Sequence, residues 1–113
     1  MAAKPRPKMT LQTQMVLLVL LAAPDRERYG LELSQLTGIA SGTIYPILQR
    51  LEEAGWLRCR WEEVNSEKEG RPARRFWRLR PGELATVRDA LARATSPVCE
   101  LPQFRLHHAG GEG

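Results

Sequence analysis

The stretch Ala40 to Leu57, A-S-G-T-I-Y-P-I-L-Q-R-L-E-E-A-G-W-L, constrains the fold more than any other part of the chain. Ile44, Ile47, Leu48, Leu51 and Ala54 recur at helical spacing, so one stripe of a helix has to be buried. The other side carries Gly42, Thr43, Tyr45, Pro46 and Gln49 near the N-terminus and holds Glu52 and Glu53 back at the far end. An anionic partner would meet the first half. Ser41 or Thr43 is expected to cap the helix start through a side-chain oxygen, and Gly55 to supply the left-handed residue that ends it. Pro46 falls in the first turns, where at most one intrahelical hydrogen bond is lost.

The elements around this helix follow from period and punctuation. Residues 1–9 are basic and broken by Pro5 and Pro7, which predicts a mobile arm, either solvated or touching phosphate. Thr10 is the expected N-cap of a first helix running to about Ala23. That helix is apolar almost all round, so it either sits at the centre of the domain or is covered by another subunit. Pro24 to Arg28 reads as a charged turn, and Tyr29 to Leu36 as a short second helix with Leu33 and Leu36 inward, ended by Gly38. The short connection to Ala40 makes the second and third helices a helix–turn–helix with the latter presented outward.

From Trp56 the period changes to two. Leu57, Cys59 and Trp61 alternate with Arg58, Arg60 and Glu62, a half-buried strand. Asn65 to Pro72 carries the chemistry of a loop. Ala73 to Leu79 alternates again, with Arg75, Trp77 and Leu79 on one side, so the two strands should pair as an antiparallel hairpin. Trp56, Trp61 and Trp77 are all expected in the core. Pro81 suits the first position of a last helix over residues 81–95, whose stripe is Leu84, Val87, Leu91 and Ala94. Residues 96–113 read as a partly disordered tail.

Composition narrows the function classes. A chain of 113 residues supports one domain with a small core. The formal net charge of +4 favours an acidic partner such as nucleic acid. Between Arg58 and Arg80 there are eight basic and four acidic residues, so the hairpin alone could supply that excess. Cys59 and Cys99 are far apart and lack metal-ligand spacing, so both read as reduced structural thiols, with no metal and no cofactor. Met15 to Ala23 is about half of the roughly 18 to 20 residues that a membrane span needs, and no cleavage pattern follows it. The expectation is a cytoplasmic protein with no membrane partner. No acid/base pair, nucleophile constellation or phosphate-cradling loop stands at usable spacing, which sets an enzyme aside.

The order of elements is that of a winged helix–turn–helix: mainly α with a small β-hairpin, spanning residues 10–80, followed by a helix at 81–95. Its physical fit to DNA lies in the outward helix, which can enter the major groove and read base edges from its N-terminal half. Gln49 could pair with an adenine edge, Ser41 and Thr43 could meet phosphate or base, and the Tyr45 hydroxyl could donate to a phosphate. Tyr29 is a further candidate for a phosphate contact; packing is the alternative role for Tyr45 and the more usual one for a residue placed like Tyr29. Lys68, Arg71 and Arg74 would carry charge at the wing, where Gly70 allows close approach, or else belong to a solvated loop. Leu17, Leu21, Leu84, Val87 and Leu91 form apolar stripes in excess of one small core, which two chains could bury together as a homodimer on a near-palindromic operator.

The motifs Tyr29-Gly30-x-Glu32-Leu33, Ser41-Gly42-Thr43-Ile44-Tyr45-Pro46-Ile47-Leu48-x-Arg50-Leu51-Glu52-x-x-Gly55-x-Leu57, Gly70-Arg71-Pro72 and Arg74-Arg75-Phe76-Trp77-Arg78-Leu79 carry a resemblance. Over residues 10–93 the chain resembles the PadR family of bacterial transcriptional regulators, in its short subgroup. The resemblance implies a dimeric, DNA-binding repressor. Several family members answer to small ligands, yet the last helix here has no aromatic residue that would stack a flat effector. A winged helix that binds another protein instead of DNA, as an interaction module or anti-regulator, is the competing expectation.

Overall fold

Helix α1 (Leu11–Ala22) is buried on nearly every side, with Thr13 to Leu17, Val19 and Leu20 all removed from solvent. In the structure, a computed structural model that describes residues 6–94, α1 packs against a second helix, the sheet and the last helix. Its all-round apolar character is therefore that of a central helix. Thr10 caps it, the hydroxyl oxygen accepting from the Thr13 N–H at 3.2 Å. Gln14 Nε2 donates to the Met9 carbonyl at 2.9 Å, and Met9 packs on the core, so the end of the expected free arm is held in place. Residues 1–5 and 95–113, the rest of that arm and the tail, lie outside the described residues.

After α1 the chain makes a two-residue strand β1 (Arg28–Tyr29) and turns directly into α2 (Gly30–Thr37). Gly38 stops α2 at φ 77°, its N–H donating to the Ser34 carbonyl at 2.8 Å. The Thr37 hydroxyl donates to Leu33 O at 2.7 Å and accepts from the Ile39 N–H at 3.2 Å, which stiffens the turn into α3 (Ser41–Glu53). Ile44, Ile47, Leu48 and Leu51 form the inner stripe of α3 and are all buried. Ser41 and Thr43 do not cap it. Ala40 is the N-cap; its carbonyl accepts from Thr43 and Ile44, and the two hydroxyl residues lie inside the first turn. Gly55, at φ 84°, supplies the left-handed residue just past the helix.

Strands β2 (Leu57–Trp61) and β3 (Arg75–Leu79) pair antiparallel, with Leu57 opposite Leu79, Cys59 opposite Trp77 and Trp61 opposite Arg75. Strand β1 adds to the other edge of β3, so the sheet has three strands in the order β1-β3-β2. The short β1 falls where a charged turn was expected. Asn65 to Pro72 is also more ordered than a plain loop: Asn65 Oδ1 accepts from the Glu67 and Lys68 N–H groups and starts the single turn α4 (Ser66–Glu69). Gly70, at φ 68°, ends that turn. A 3-10 turn at Pro81–Glu83 precedes α5 (Leu84–Arg93), which therefore begins three residues later than Pro81 suggested.

Two expectations about burial are corrected. Trp56 and Trp77 are 4% and 1% exposed, but Trp61 is 62% exposed, because β2 runs out beyond the helical layer that covers its first residue, Leu57. Leu17 and Val87, expected in apolar stripes in excess of one core, are both 0% exposed within one chain, so both belong to its core. Leu21, Leu84 and Leu91 are only partly buried. No helix among the described residues is long and apolar enough to cross a membrane.

Leu51→Ala should lower stability by about 2–5 kcal/mol, because the inner stripe of α3 has no room to collapse around a cavity. Leu31→Ala, at a side chain 51% exposed, should change it by about 0.5 kcal/mol or less. Urea unfolding of both variants measures the contrast; equal losses would contradict the burial of α3.

Candidate nucleic-acid interface

Burying one stripe of α3 leaves Ser41, Gly42, Tyr45, Pro46, Gln49 and Arg50 exposed on the other, with Thr43 half-buried. Arg50 belongs to this outward row although the sequence reading passed over it; its spacing one turn after Pro46 is the signal that could have found it. No side chain among the described residues caps α3, so the backbone N–H groups of Ser41 and Gly42, ahead of those of Thr43 and Ile44 that donate to the Ala40 carbonyl, stay open to an anion. Acidic charge enters the row only at Glu53.

Tyr45 is 45% exposed and its ring lies against Gly30, at the first residue of α2. A Cβ on Gly30 would stand 2.5 Å from the ring Cζ and 2.6 Å from the hydroxyl oxygen, so the absence of a side chain there is what seats the ring. Tyr29, the N-cap of α2, is half-buried: its ring meets Phe76 edge-on at 6.0 Å and the Arg74 guanidinium sits over it at 4.5 Å. Tyr29 thus packs on Phe76 and carries the Arg74 guanidinium on its ring.

The wing residues divide. Lys68 is exposed on α4, Arg74 is exposed on top of Tyr29, and Arg71 is paired with Glu62 through two contacts at 2.7 and 3.3 Å. That pairing holds the Glu62 carboxyl below the usual carboxylate range, helped by the Arg74 backbone N–H, and raises Arg71. Arg71 therefore stands at the wing with much of its charge already matched. Glu52, on the back of α3, holds Arg75 at 3.2 Å and accepts from the Cys59 thiol at 3.0 Å. Burial first, then that contact with Glu52, pushes the Cys59 thiol up, so it stays protonated; Cys99 lies outside the described residues.

Tyr45 and Leu31 on one side and Trp61 and Arg71 to Arg75 on the other line an open cleft of about 540 Å³ between α3 and the wing. A second notch of about 490 Å³ brings Arg6 and Lys8 beside Arg50 and Glu53. No group of three or more His, Cys, Asp or Glu able to hold a metal ion occurs among the described residues. A helix–turn–helix whose second helix is outward, followed by a hairpin wing, defines a winged-helix protein.

The Transcriptional regulator PadR-like family matches over residues 17–82, more than half of the chain, and the chain belongs to that family. Among solved structures it is similar to a PadR family transcriptional regulator from Eggerthella lenta, with 23% identity over 90% of this chain and 81% of that one, at a TM-score of 0.58. It is also similar to Bacillus subtilis PadR in complex with operator DNA, at 16% identity and a TM-score of 0.59. That match covers 77% of this chain and about half (51%) of the B. subtilis protein. A zinc-responsive MarR family member, Lactococcus lactis ZitR, shares the fold at 15% identity and a TM-score of 0.55 over 81% of this chain and 58% of that one. No functionally curated protein matches.

Two measurements check the geometry. Ala is ordinarily favoured over Gly in a helix by up to about 1 kcal/mol. Gly30→Ala should therefore be less favourable by about 1 kcal/mol when Tyr45 is present than in a Tyr45→Ala background, as a double-mutant cycle reads it. A cycle that closes without coupling would remove the contact. For Glu62, whose pKa is depressed in the fold, the ion pair contributes stability above the unfolded value and loses it as pH falls through the folded one. Carboxyl NMR titration should find its midpoint below the ordinary carboxylate range, and Arg71→Ala should move it back up.

Proposed function

We propose that this protein is a sequence-specific double-stranded DNA-binding regulator that acts in the cytoplasm as a dimeric repressor. The observation that carries the reading is the exposed row Gly42, Tyr45, Pro46 and Gln49 on α3, free of acidic residues until Glu53 and flanked by the cationic wing. Such a helix fits the major groove, where Gln49 can read an adenine edge. Tyr45, Ser41 and Thr43 then face phosphate or base, and the open N–H groups of α3 favour anions. Lys68 and Arg74 are the wing cations with charge to spare, and Arg71 fixes the shape of the wing as much as it contributes charge. The B. subtilis PadR–operator complex supports the same use of a similar fold.

A homodimer is supported by the apolar side chains that the chain leaves half-covered, Leu21 on α1 and Leu84 and Leu91 on α5. Twofold pairing would set two recognition helices about 34 Å apart on a near-palindromic operator, with half-sites about 10 base pairs apart. This interface is narrower than the stripes of the sequence suggested, because Leu17 and Val87 are used inside the chain.

Selection of bound sequences from a random duplex pool tests the central reading, and a palindromic consensus is expected. Recovery of no enriched sequence, together with no duplex binding by anisotropy, would overturn it in favour of a protein-binding module. Replacing Lys68 and Arg71 by Ala should weaken binding to all duplexes, and each lost phosphate contact should flatten the log–log salt slope by about 0.9. Gln49→Ala should cost about 1–3 kcal/mol at one base position and little on random DNA. Sedimentation at micromolar concentration should give a dimer for the wild type and a monomer for Leu91→Asp; a monomeric wild type would sink the dimer.

A further inference from the structure

Of the three tryptophans, Trp61 is the one that the core does not use. It stands at 62% exposure on the side of β2 whose inward residues, Leu57 and Cys59, are progressively less covered toward the wing. It is not alone: the half-exposed Tyr45 and Leu31 line the same cleft, and exposed apolar side chains grouped beside cations mark a surface that a partner can cover. The ring is not loose. Arg75 lies directly opposite it in the strand register, with its guanidinium 5.7 Å from the Trp61 centroid and 4.3 Å from that of Trp77. The same guanidinium is tied to Glu52 on α3 at 3.2 Å, so Trp61 keeps a defined relation to the exposed row of that helix.

Between Trp61 and Tyr45 runs the cleft of about 540 Å³, with Arg71 and Arg75 also at its edge. If α3 occupies a major groove and the wing reaches the next minor groove, the strand that separates the two grooves has to cross this cleft. The inference rests on that reading of the function. We propose that Trp61 is a DNA-contacting residue, its indole packing on a deoxyribose of the crossing strand while its N–H donates to the adjoining phosphate. The chemistry matches both parts of the backbone: an apolar ring face for the sugar, and an indole donor, the Tyr45 hydroxyl and arginine for the phosphate. The contact carries no charge of its own and reads no base edge. It fixes how deep and at what angle the wing sits.

Tryptophan fluorescence of the full chain isolates this residue, because Trp56 and Trp77 are 4% and 1% exposed and therefore shielded from a soluble quencher. Acrylamide should quench Trp61 in the free protein. A saturating duplex taken from the selected pool should protect it, while the anisotropy of the labelled duplex reports binding independently. Trp61→Ala should melt close to the wild type, lack the quenchable emission, and bind the duplex about tenfold more weakly at an unchanged salt slope. A loss that comes with a changed slope would mean an altered wing rather than a lost indole contact, and would overturn the assignment. Duplex binding with Trp61 still quenchable, or unchanged affinity in Trp61→Ala, would overturn it as well. So would a Trp61 already shielded in the free protein, since then the chain itself or a second copy covers it. Absence of any duplex binding by anisotropy fails the functional reading instead, and is seen separately.

Discussion

The exposed row that would meet DNA depends on how α3 is buried. Ile44, Ile47, Leu48 and Leu51 are inserted beneath it, and a helix with four apolar residues at that spacing has only one orientation that hides them all. Turning α3 by a third of a turn to protect Tyr45 would bring Ile47 or Leu51 into water, at roughly 1.5–3 kcal/mol for each fully exposed side chain. The outward row Gly42, Tyr45, Pro46, Gln49 and Arg50 is thus the complement of the core stripe, set by the same constraint. The buried α1 provides the floor for this arrangement, and the turn from Gly38 to Ala40, pinned by Thr37, sets the angle.

Much of this was legible in the residues. The start of α1 at Thr10, the stop of α2 at Gly38, the course of α3 and the antiparallel pairing of β2 with β3 all follow from caps and periods that act locally. What was not legible depends on where layers end. Trp61 has the parity of a core residue, but parity says only which way a side chain leaves the strand, and no helix extends far enough to meet it. Strand β1 is two residues long and has no period to detect; it exists because β3 offers a free edge. The burial of Leu17 and Val87 was hidden for a related reason: a stripe shows that a side chain needs cover, and only the packing of α1 against α5 shows that the chain covers it itself.

The charge of the wing shows the same difference between composition and arrangement. Eight basic and four acidic residues between Arg58 and Arg80 suggest a uniformly cationic hairpin. In the fold, Arg60 is held by Glu27, at 2.7 Å to each of its oxygens, Arg75 by Glu52, and Arg71 by Glu62, so two of the three partners come from outside the hairpin. Arg58 and Arg78 stand directly opposite one another on the outer face, a like-charge pair worth roughly 0.2–1 kcal/mol of repulsion. Glu27 lies between the cations of that face; Arg60 first, and Arg78 and Arg58 after it, hold its carboxyl below the usual range. The outer face is therefore partly neutralised.

Lys68 and Arg74 have no ion-pair partner among the described residues, and Arg74, at the cleft that Tyr45 of α3 also lines, is carried on the ring of Tyr29. Tyr29 caps α2, and Gly30 beside it seats Tyr45 of α3, so one dipeptide joins the wing cation to the recognition row through ring contacts alone. A cation placed this way keeps its charge for a partner, because the aromatic face beneath it attracts without neutralising it. Pairing of Arg60, Arg71 and Arg75 thus lowers the repulsion within the hairpin and still leaves Arg74, on its ring, beside the exposed row of α3, where a single polyanion could reach both elements.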